Sequence, residues 1–328
     1  MATILRPSPE SVAILVVHLS EGGIAAIPTE TVYGLAADAT NPDAIAKIFV
    51  AKNRPQNNPL ILHCHSIEQV AEYTIGETER WYDLARQFWP GPLTLILKKN
   101  PAIPDVVTAG RDTVAVRIPA SQLSREVIRK LGRPIAAPSA NPSGYVSPTT
   151  AEHVEESLGD RVPYILDGGA CERGIESTII SLIDPEKPMI LRPGPINQSE
   201  LTSALKRQVI TKHVAGDESQ AQDAPGLFSA HYQPTIPVIL CDDPLKLKQI
   251  DKSSSALLLI SKKSETVMPD VVEYLTESGN ANEAATNLYS ALRRLDKSGV
   301  KAIYAEVPPA DQEWQGVADR LNRASSNL

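Results

Sequence analysis

The chain has 328 residues, of which 42% are hydrophobic and 22% are charged, and its formal net charge is −7. This length is typical of a soluble globular protein with two cores, so we expect two domains. The acidic balance disfavours a general polyanion binder, because nucleic-acid affinity depends on many lysines and arginines, and we expect no stable nucleic-acid binding. No apolar run approaches the roughly 18 residues that cross a membrane.

The three cysteines, Cys64, Cys171 and Cys241, lie far apart and in no CxxC pair. This spacing indicates neither a disulfide framework nor a zinc site. The first residues have no signal-peptide pattern. These features together predict a cytoplasmic protein without a membrane anchor.

Short β-type runs alternate with helical patterns along the first two thirds of the chain, which predicts an α/β sheet. The predicted strands there are 23–27, 60–64, 93–97, 113–118, 135–137, 164–166, 177–182 and 189–192. Periodicity fades from about residue 206, and further strands are predicted at 237–241, 256–261 and 302–307. We therefore predict a catalytic domain over 1–207, a linker over 208–236 and a smaller, parallel α/β domain over 237–328.

The segment PTETVYGL (28–35) follows the first of these predicted strands. Its hydroxyls and its carboxylate suit a small polar ligand, although a turn that merely ends a strand has the same composition.

The segment KNRPQNNPLILHC (52–64) places two cations, Lys52 and Arg54, on a turn held by proline. Close cations of this kind bind polyphosphate, and a solvated basic loop is an equal alternative. Asn58 and His63 follow. A lone histidine on an apolar strand is more often a core residue than a ligand contact, and only its neighbours favour a role for His63 in binding.

The strand TVAVRIP (113–119) alternates cleanly, so Thr113, Ala115 and Arg117 share one face. A half-buried arginine requires a partner, which is either a protein acid or a carboxylate of a substrate.

The segment PIAAPSANPSGYVSPTT (134–150) is the sharpest local pattern, because Ser139, Asn141 and Ser147 follow a short strand in a loop broken by prolines. Such a loop suits phosphate or ribose oxygens. Ser177 and Arg192 lie at the ends of two later strands, where open α/β sheets build their sites. The sequence has no GxxxxGK[ST], GxGxxG or HExxH motif, which disfavours P-loop, dinucleotide and zinc-hydrolase chemistry.

Seven segments, PTETVYGL, KNRPQNNPL, WPGPLT, AVRIP, APSANPSG, ESTI and LRPG, resemble in this order the YrdC-type threonylcarbamoyl-AMP synthase family. The linker segment HYQP and the α/β domain after it are similar to the two-domain form of that family. The resemblance implies an α/β fold with a twisted open mixed sheet around a positively lined cavity, and a smaller Rossmann-like parallel α/β domain. It also implies that L-threonine, bicarbonate or CO2, and Mg²⁺-ATP give threonylcarbamoyl-AMP and pyrophosphate, for a downstream complex that transfers the threonylcarbamoyl group to tRNA.

The resemblance assigns roles to individual residues. The implied catalytic residues are Lys52, Arg54, Ser139 and Asn141. The implied ATP contacts are Lys52, Arg54, Asn58, Thr113, Ala137, Ser139, Asn141, Ser147, Arg192 and, as part of a lid, Tyr232. The implied threonine contacts are Thr31, His63, Arg117, Ser139 and Ser177. Mg²⁺ is expected with ATP, and no metal site made by protein residues is expected.

The linker differs from the family pattern at one point. The family usually carries a basic residue shortly before HYxP, where this chain has Ser229 and Ala230. Two other functions stay open: an RNA-binding module without catalysis, and a carbamoyltransferase that uses carbamoyl phosphate.

Overall fold

The structure of the protein is a computed structural model, which describes residues 1–76, 79–184, 186–211, 224–226, 231–242, 251, 253–262 and 269–325. The helices are α1 (Pro9–Ser20), α2 (Pro42–Lys52), α3 (Ile67–Tyr73), α4 (Glu79–Phe88), α5 (Asp105–Thr108), α6 (Gln122–Leu131), α7 (Ala151–Leu158), α8 (Gln198–Leu205), α9 (Ala281–Asp296) and α10 (Gln315–Ala324). Short 3₁₀ turns cover Gly159–Arg161 and Gln312–Trp314. None of the helices in these ranges is long and apolar enough to cross a membrane.

The strands form two sheets. The strands of the first are β1 (Thr3–Leu5), β2 (Ala25–Ile27), β3 (Gly34–Asp38), β4 (Ile61–His63), β5 (Thr74–Ile75), β6 (Leu93–Lys99), β7 (Thr113–Arg117), β8 (Ile135–Ala136), β9 (Tyr164–Leu166), β10 (Thr178–Ser181), β11 (Met189–Arg192) and β12 (Ile210–Thr211). The strands of the second are β13 (Val238–Cys241), β14 (Ser255–Ser261), β15 (Val271–Thr276) and β16 (Ala302–Glu306).

The first sheet is mixed, with the order β1-β9-β2-β3-β8-β4-β7-β6-β10-β11-β12, and β5 pairs with β6 at one side. The second sheet has the order β13-β16-β14-β15, and all its pairs are parallel. The predicted fold class is thereby confirmed, and every predicted strand corresponds to an observed one. Strands β1, β3, β5, β12 and β15 were not expected from the sequence.

The predicted domain limits stay a prediction. Part of the linker 208–236, including Ser229 and Ala230, lies outside the described residues. Within the described residues, each sheet has its own apolar core.

Local sequence explains where the site elements begin and end. Helix α2 starts at Asn41, whose side chain accepts from the backbone N–H groups of Asp43 and Ala44, and Pro42 fills its first turn. The helix ends at Asn53 in the left-handed conformation, with φ of 50°. This turn places Lys52 on the last helical position and Arg54 just beyond it.

The alternation predicted for β7 is observed. Val114 and Val116 belong to the main core cluster, whereas Ala115 belongs to a smaller cluster on the other face. Arg117 shares the face of Ala115, so its buried side chain is directed away from the main core.

Candidate active site

Two loops meet at the start of β3 and the end of β8, where Gly34 and Ser139 form a β-bridge. Leu35 donates its backbone N–H to Pro138 O at 2.7 Å, Ala140 donates to Tyr33 O at 2.8 Å, and Tyr33 donates to Pro148 O at 2.9 Å. These bonds join the PTETVYGL segment to residues 138–148 beside a cavity, whose wall includes Gly34, Pro138 and Ser139. The fold thus unites two motifs that are more than 100 residues apart in sequence.

Nine of the predicted site residues line this cavity: Thr31, Arg54, His63, Arg117, Ala137, Ser139, Ser177, Arg192 and Tyr232. Lys52, Asn58, Asn141 and Ser147 are buried beside it without forming its wall. Thr113 lies at the start of β7, four residues before Arg117, and the structure does not bring it to the wall. Neither the structure nor the matches given below tests the role of any of these residues, so the roles stay predictions.

We call one side of the cavity the Arg117 end, formed by Thr31, His63, Arg117 and Ser177. Arg117 Nη2 lies 2.7 Å from Glu30 Oε2, and both side chains are at most 5% exposed. Arg117 Nη1 donates to Thr31 Oγ1 at 2.9 Å. The ion pair holds the guanidinium in place, and such a group binds a carboxylate or carbamate through paired N–H donors.

His63 is neutral in this environment. Its Nδ1 lies 3.1 Å from Ile61 O, and because a carbonyl only accepts, Nδ1 carries the proton and Nε2 is an acceptor. Burial, with Arg117 nearby, lowers the pKa of His63 to about 3. His63 therefore suits a ligand that donates, such as an ammonium or a hydroxyl.

Ser177 completes the Arg117 end and connects it to the opposite side. Its Oγ lies 2.7 Å from Thr94 Oγ1, and its carbonyl accepts from Arg192 Nη2 at 3.0 Å. Arg192 Nη1 also donates to Pro225 O at 3.2 Å.

We call the other side the Arg54 end, formed by Arg54, Arg192 and Tyr232, with Lys52 buried behind it. Arg54 donates to Asn58 Oδ1 at 2.6 Å and to Pro59 O at 2.8 Å. Lys52 Nζ donates to the carbonyls of Ser139 and Asn141. Burial lowers the pKa of Lys52 well below its usual value, and Arg54 lowers it further. These are desolvated cations that an anionic ligand would stabilise.

Linker residues form one wall of the Arg54 end, namely Pro225, Gly226, His231 and Tyr232. The Tyr232 ring stacks on Tyr289 with 5.7 Å between centroids, and its side chain is 1% exposed. No protein group in the described residues hydrogen-bonds its hydroxyl. Tyr232 therefore lines the cavity, and its predicted role as part of a lid stays a prediction.

Glu176 is a buried carboxylate in the cavity wall. Its Oε1 accepts from Ser147 Oγ at 2.6 Å, and its Oε2 accepts from Tyr289 OH at 2.8 Å and Arg320 Nε at 2.9 Å. Burial acts to raise its pKa, but Arg320 and Arg192 outweigh it and hold the pKa at about 2.

Sequence reasoning did not assign roles to Glu30, Glu176, Tyr289 or Arg320. The sequence did contain a pattern that could have identified Arg320. This arginine lies on the same helical face as the apolar residues Val317, Leu321 and Ala324. A charge on a buried face needs a buried partner.

The lining does not favour a metal held by protein. Among the described residues no cluster of three or more His, Cys, Asp or Glu side chains could hold an ion. Glu176, the carboxylate of the wall, already accepts three hydrogen bonds.

A mixed α/β domain with a cation-lined cavity, walled in part by linker residues, is suited to binding an anionic ligand such as a nucleotide. The profile of the Sua5_yciO_yrdC family, described as Telomere recombination, matches residues 18–194. The profile described as Threonylcarbamoyl-AMP synthase, C-terminal domain, matches residues 196–326.

Relatives of known structure and function agree with these profiles. The threonylcarbamoyl-AMP synthase of Pyrococcus abyssi is 40% identical over 94% of this chain and 92% of its own length. The threonylcarbamoyl-AMP synthase of Bacillus subtilis is 38% identical over 94% of this chain and 90% of its own length. The crystal structure of P. abyssi Sua5 complexed with L-threonine superposes with a TM-score of 0.89 at 38% identity, covering 99% of this chain and 97% of that one. The chain belongs to the two-domain threonylcarbamoyl-AMP synthase family.

Proposed function

We propose that this protein joins L-threonine, CO2 derived from bicarbonate, and ATP into threonylcarbamoyl-AMP and pyrophosphate. The observation that carries the proposal is one cavity with a carboxylate-binding guanidinium at the Arg117 end and desolvated cations at the Arg54 end. An amino acid and a polyphosphate fit these two ends respectively.

The Arg117 end fits threonine group by group. Arg117 would bind the carboxylate, and the hydroxyls of Thr31 and Ser177 lie on the same wall. His63 Nε2 would accept from the amine or the side-chain hydroxyl, because it carries no proton. The P. abyssi relative, which is solved with L-threonine, supports this assignment.

The reaction balances without a covalent enzyme intermediate. The threonine amine attacks CO2, an N–C bond forms, and the nitrogen loses a proton to give a carbamate. A carbamate oxygen then attacks the α-phosphorus of ATP, the α–β anhydride bond breaks, and pyrophosphate leaves. Positioning and charge neutralisation by Lys52, Arg54 and Arg192 would supply the protein's contribution, with ATP entering as its magnesium complex.

ATP binding requires a change of partners at the Arg54 end. Lys52 and Arg54 donate to protein carbonyls and an amide oxygen, and Tyr232 stands in the wall. In our proposal the phosphates take over these donors, and the loop of Ser139, Asn141 and Ser147 contacts the nucleotide.

Two consequences follow for the cell. Threonylcarbamoyl-AMP is a mixed anhydride that water hydrolyses, so an enzyme complex that transfers its acyl group to tRNA must consume it. We further propose that the protein works in the cytoplasm beside that complex.

The test is pyrophosphate release by purified protein, with the adenylate product identified by mass spectrometry. We expect release from Mg²⁺-ATP only when L-threonine and bicarbonate are both present. Equal release without threonine would overturn the proposal. Turnover of carbamoyl phosphate would instead support a carbamoyltransferase, and salt-dependent RNA binding without turnover would support an RNA-binding module.

A further inference from the structure

The C-terminal domain packs directly behind the active site. Val32, Val146 and Ile175 of the first domain belong to the same apolar cluster as the core of the second. Gly174 approaches α9 so closely that a Cβ atom there would lie 2.4 Å from Ala285 O. At Gly316 in α10, a Cβ atom would lie 2.7 Å from Ile175 Cδ1. Such close backbone approach indicates one specific docked arrangement.

Two side chains of this domain reach the active-site carboxylate. Tyr289 from α9 and Arg320 from α10 both donate to Glu176 Oε2, at 2.8 and 2.9 Å. Arg320 is fully buried, and its guanidinium carbon lies 5.3 Å from the Tyr232 ring centroid. The domain therefore contacts the site through Glu176 and Tyr232 at once.

Ser147 is fully buried beside the cavity wall, so a nucleotide would reach it only by displacing wall residues. The pattern of donors determines what its oxygen then offers. Ser147 has one hydroxyl proton, which it donates to Glu176 Oε1 at 2.6 Å. Its oxygen is then left with lone pairs, which accept but cannot donate. Such an oxygen fits a hydroxyl or amine of a nucleoside and not a phosphate oxygen.

Burying an ion pair carries a desolvation cost, so docking alone does not explain the pair of Glu176 and Arg320. Replacing such a pair by apolar residues of similar volume is often neutral or stabilising. Tyr145 OH already donates to Asp296 Oδ2 at 2.8 Å, which is a hydrogen bond between the domains outside the cavity wall. The position of the Glu176 cluster in the cavity wall points to a role in the reaction.

We propose that Tyr289 and Arg320 are positioning residues: the C-terminal domain holds Glu176 as an anion, and Glu176 fixes the Ser147 oxygen as an acceptor for the nucleoside part of ATP. This inference rests on the proposed function. It assigns the second domain a part in building the nucleotide site, and Arg320 also supports the Tyr232 ring.

The first test compares two matched variants of the full chain. Tyr289→Phe removes the hydrogen bond to Glu176, and Tyr145→Phe removes the same kind of bond to Asp296. We expect kcat/KM for ATP to fall about tenfold in Tyr289→Phe, as is typical for a lost hydrogen bond to a charged group. The KM for threonine should stay unchanged. Tyr145→Phe should leave both constants within about twofold of wild type, at a similar thermal midpoint. If the two variants have equal effects, the hydrogen bonds to Glu176 serve only to dock the two domains, and the proposal is wrong.

The second test uses pH. Several charged or titratable groups have electrostatic contact with Glu176, namely Arg320, Arg192, Lys52, Tyr289, Tyr232 and His231. In Arg320→Met the carboxylate loses its larger Coulombic partner and keeps Arg192, so burial raises its pKa above the wild-type value. Activity with saturating threonine should then fall as the pH decreases from 8 to 5, relative to wild type. Arg320→Lys keeps the charge and should keep the wild-type pH profile at lower activity.

The outcomes separate the two proposals. A wild-type protein that releases no pyrophosphate overturns the proposed function. An active wild type, with the same pH profile in Arg320→Met and Arg320→Lys, overturns the positioning role alone. Circular dichroism and the thermal midpoint identify a variant that does not fold. If the Arg320 variants do not fold, the kinetics of Tyr289→Phe, which loses a single oxygen, decide whether the positioning role holds.

Discussion

The Arg117 end and the Arg54 end stabilise their buried cations with different kinds of partner. Arg117 is held by side chains of its own domain, Glu30 and Thr31, and lines the cavity ready for a ligand. Lys52, Arg54 and Arg192 instead donate to oxygens of the loops and the linker. The Arg117 end is preorganised, whereas the Arg54 end binds an anion only by exchanging partners. We therefore expect substitutions at the first to affect stability and binding together, and those at the second to affect nucleotide binding.

The largest effect is expected for Arg117→Met. It leaves Glu30 buried and unpaired, which should cost roughly 3 kcal/mol of unfolding free energy, and should raise the KM for threonine about 100-fold or more. Urea unfolding measures the unfolding free energy, and steady-state kinetics measure the KM for threonine. Arg133→Met is the control, because its pair with Asp38 is partly exposed, with the Arg133 side chain 40% exposed. A threonine KM that does not change would contradict a preorganised Arg117 end.

A smaller and more selective effect is expected for Arg54→Lys. The charge stays, but the planar fork that contacts Asn58 and Pro59 is lost. The KM for ATP should rise roughly tenfold, which corresponds to about 1.4 kcal/mol, while threonine affinity measured by calorimetry without ATP stays the same. A parallel loss of threonine affinity would show that the two ends are not separate.

The pH dependence of stability should reveal the buried neutral histidine at the Arg117 end. The pKa of His63 is about 3 in the folded protein, below its ordinary value of 6.5, so its contribution is present above pH 6.5 and is lost as the pH falls towards 3. Between pH 6 and 5 the unfolding free energy of His63→Gln should fall by about 1 kcal/mol less than that of wild type. Urea titrations at pH 7.5, 6 and 5 measure this. An identical fall in both proteins would mean that His63 is protonated in the fold.

The smallest effect is expected for Tyr232→Phe. The hydroxyl that it removes is buried without a partner in the described residues, so stability should rise by up to about 1 kcal/mol. Tyr33→Phe is the matched control, for which the expected change in stability has the opposite sign. Tyr33 OH donates to Gly169 O at 2.8 Å and accepts from Gly168 N at 3.0 Å, so its loss should destabilise. A destabilised Tyr232→Phe would show that the hydroxyl has a partner after all.

Sequence predicted best those features that depend on local alternation and turns. The strands around Arg117 and His63 were predicted because TVAVRIP alternates between residue types and LILHC is a short, mostly apolar run. Strand β3 was not expected, since GLAAD follows a turn and has small side chains that are buried on both faces. Its burial depends on both neighbours, β2 and β8, of which β8 is distant along the chain.

The partners of the site residues were harder to predict. Arg117 was expected to need a protein acid or a substrate, but nothing local selects Glu30 as that acid. Arg320 belongs to another domain, and its partner Glu176 is 144 residues away. Contacts of this kind depend on how two folded units dock, and neither helical nor strand periodicity contains that information.

The glycine at position 174 limits which C-terminal domains can be joined to this first domain in a chimera. Because α9 occupies the space of a Cβ atom at Gly174, the loop and the helix must change together. A chimera that joins this first domain to the C-terminal domain of a relative should be active only when the residues facing Gly174 and Glu176 come from the same parent. At this contact the two domains thus form one structural unit, although each has a sheet of its own.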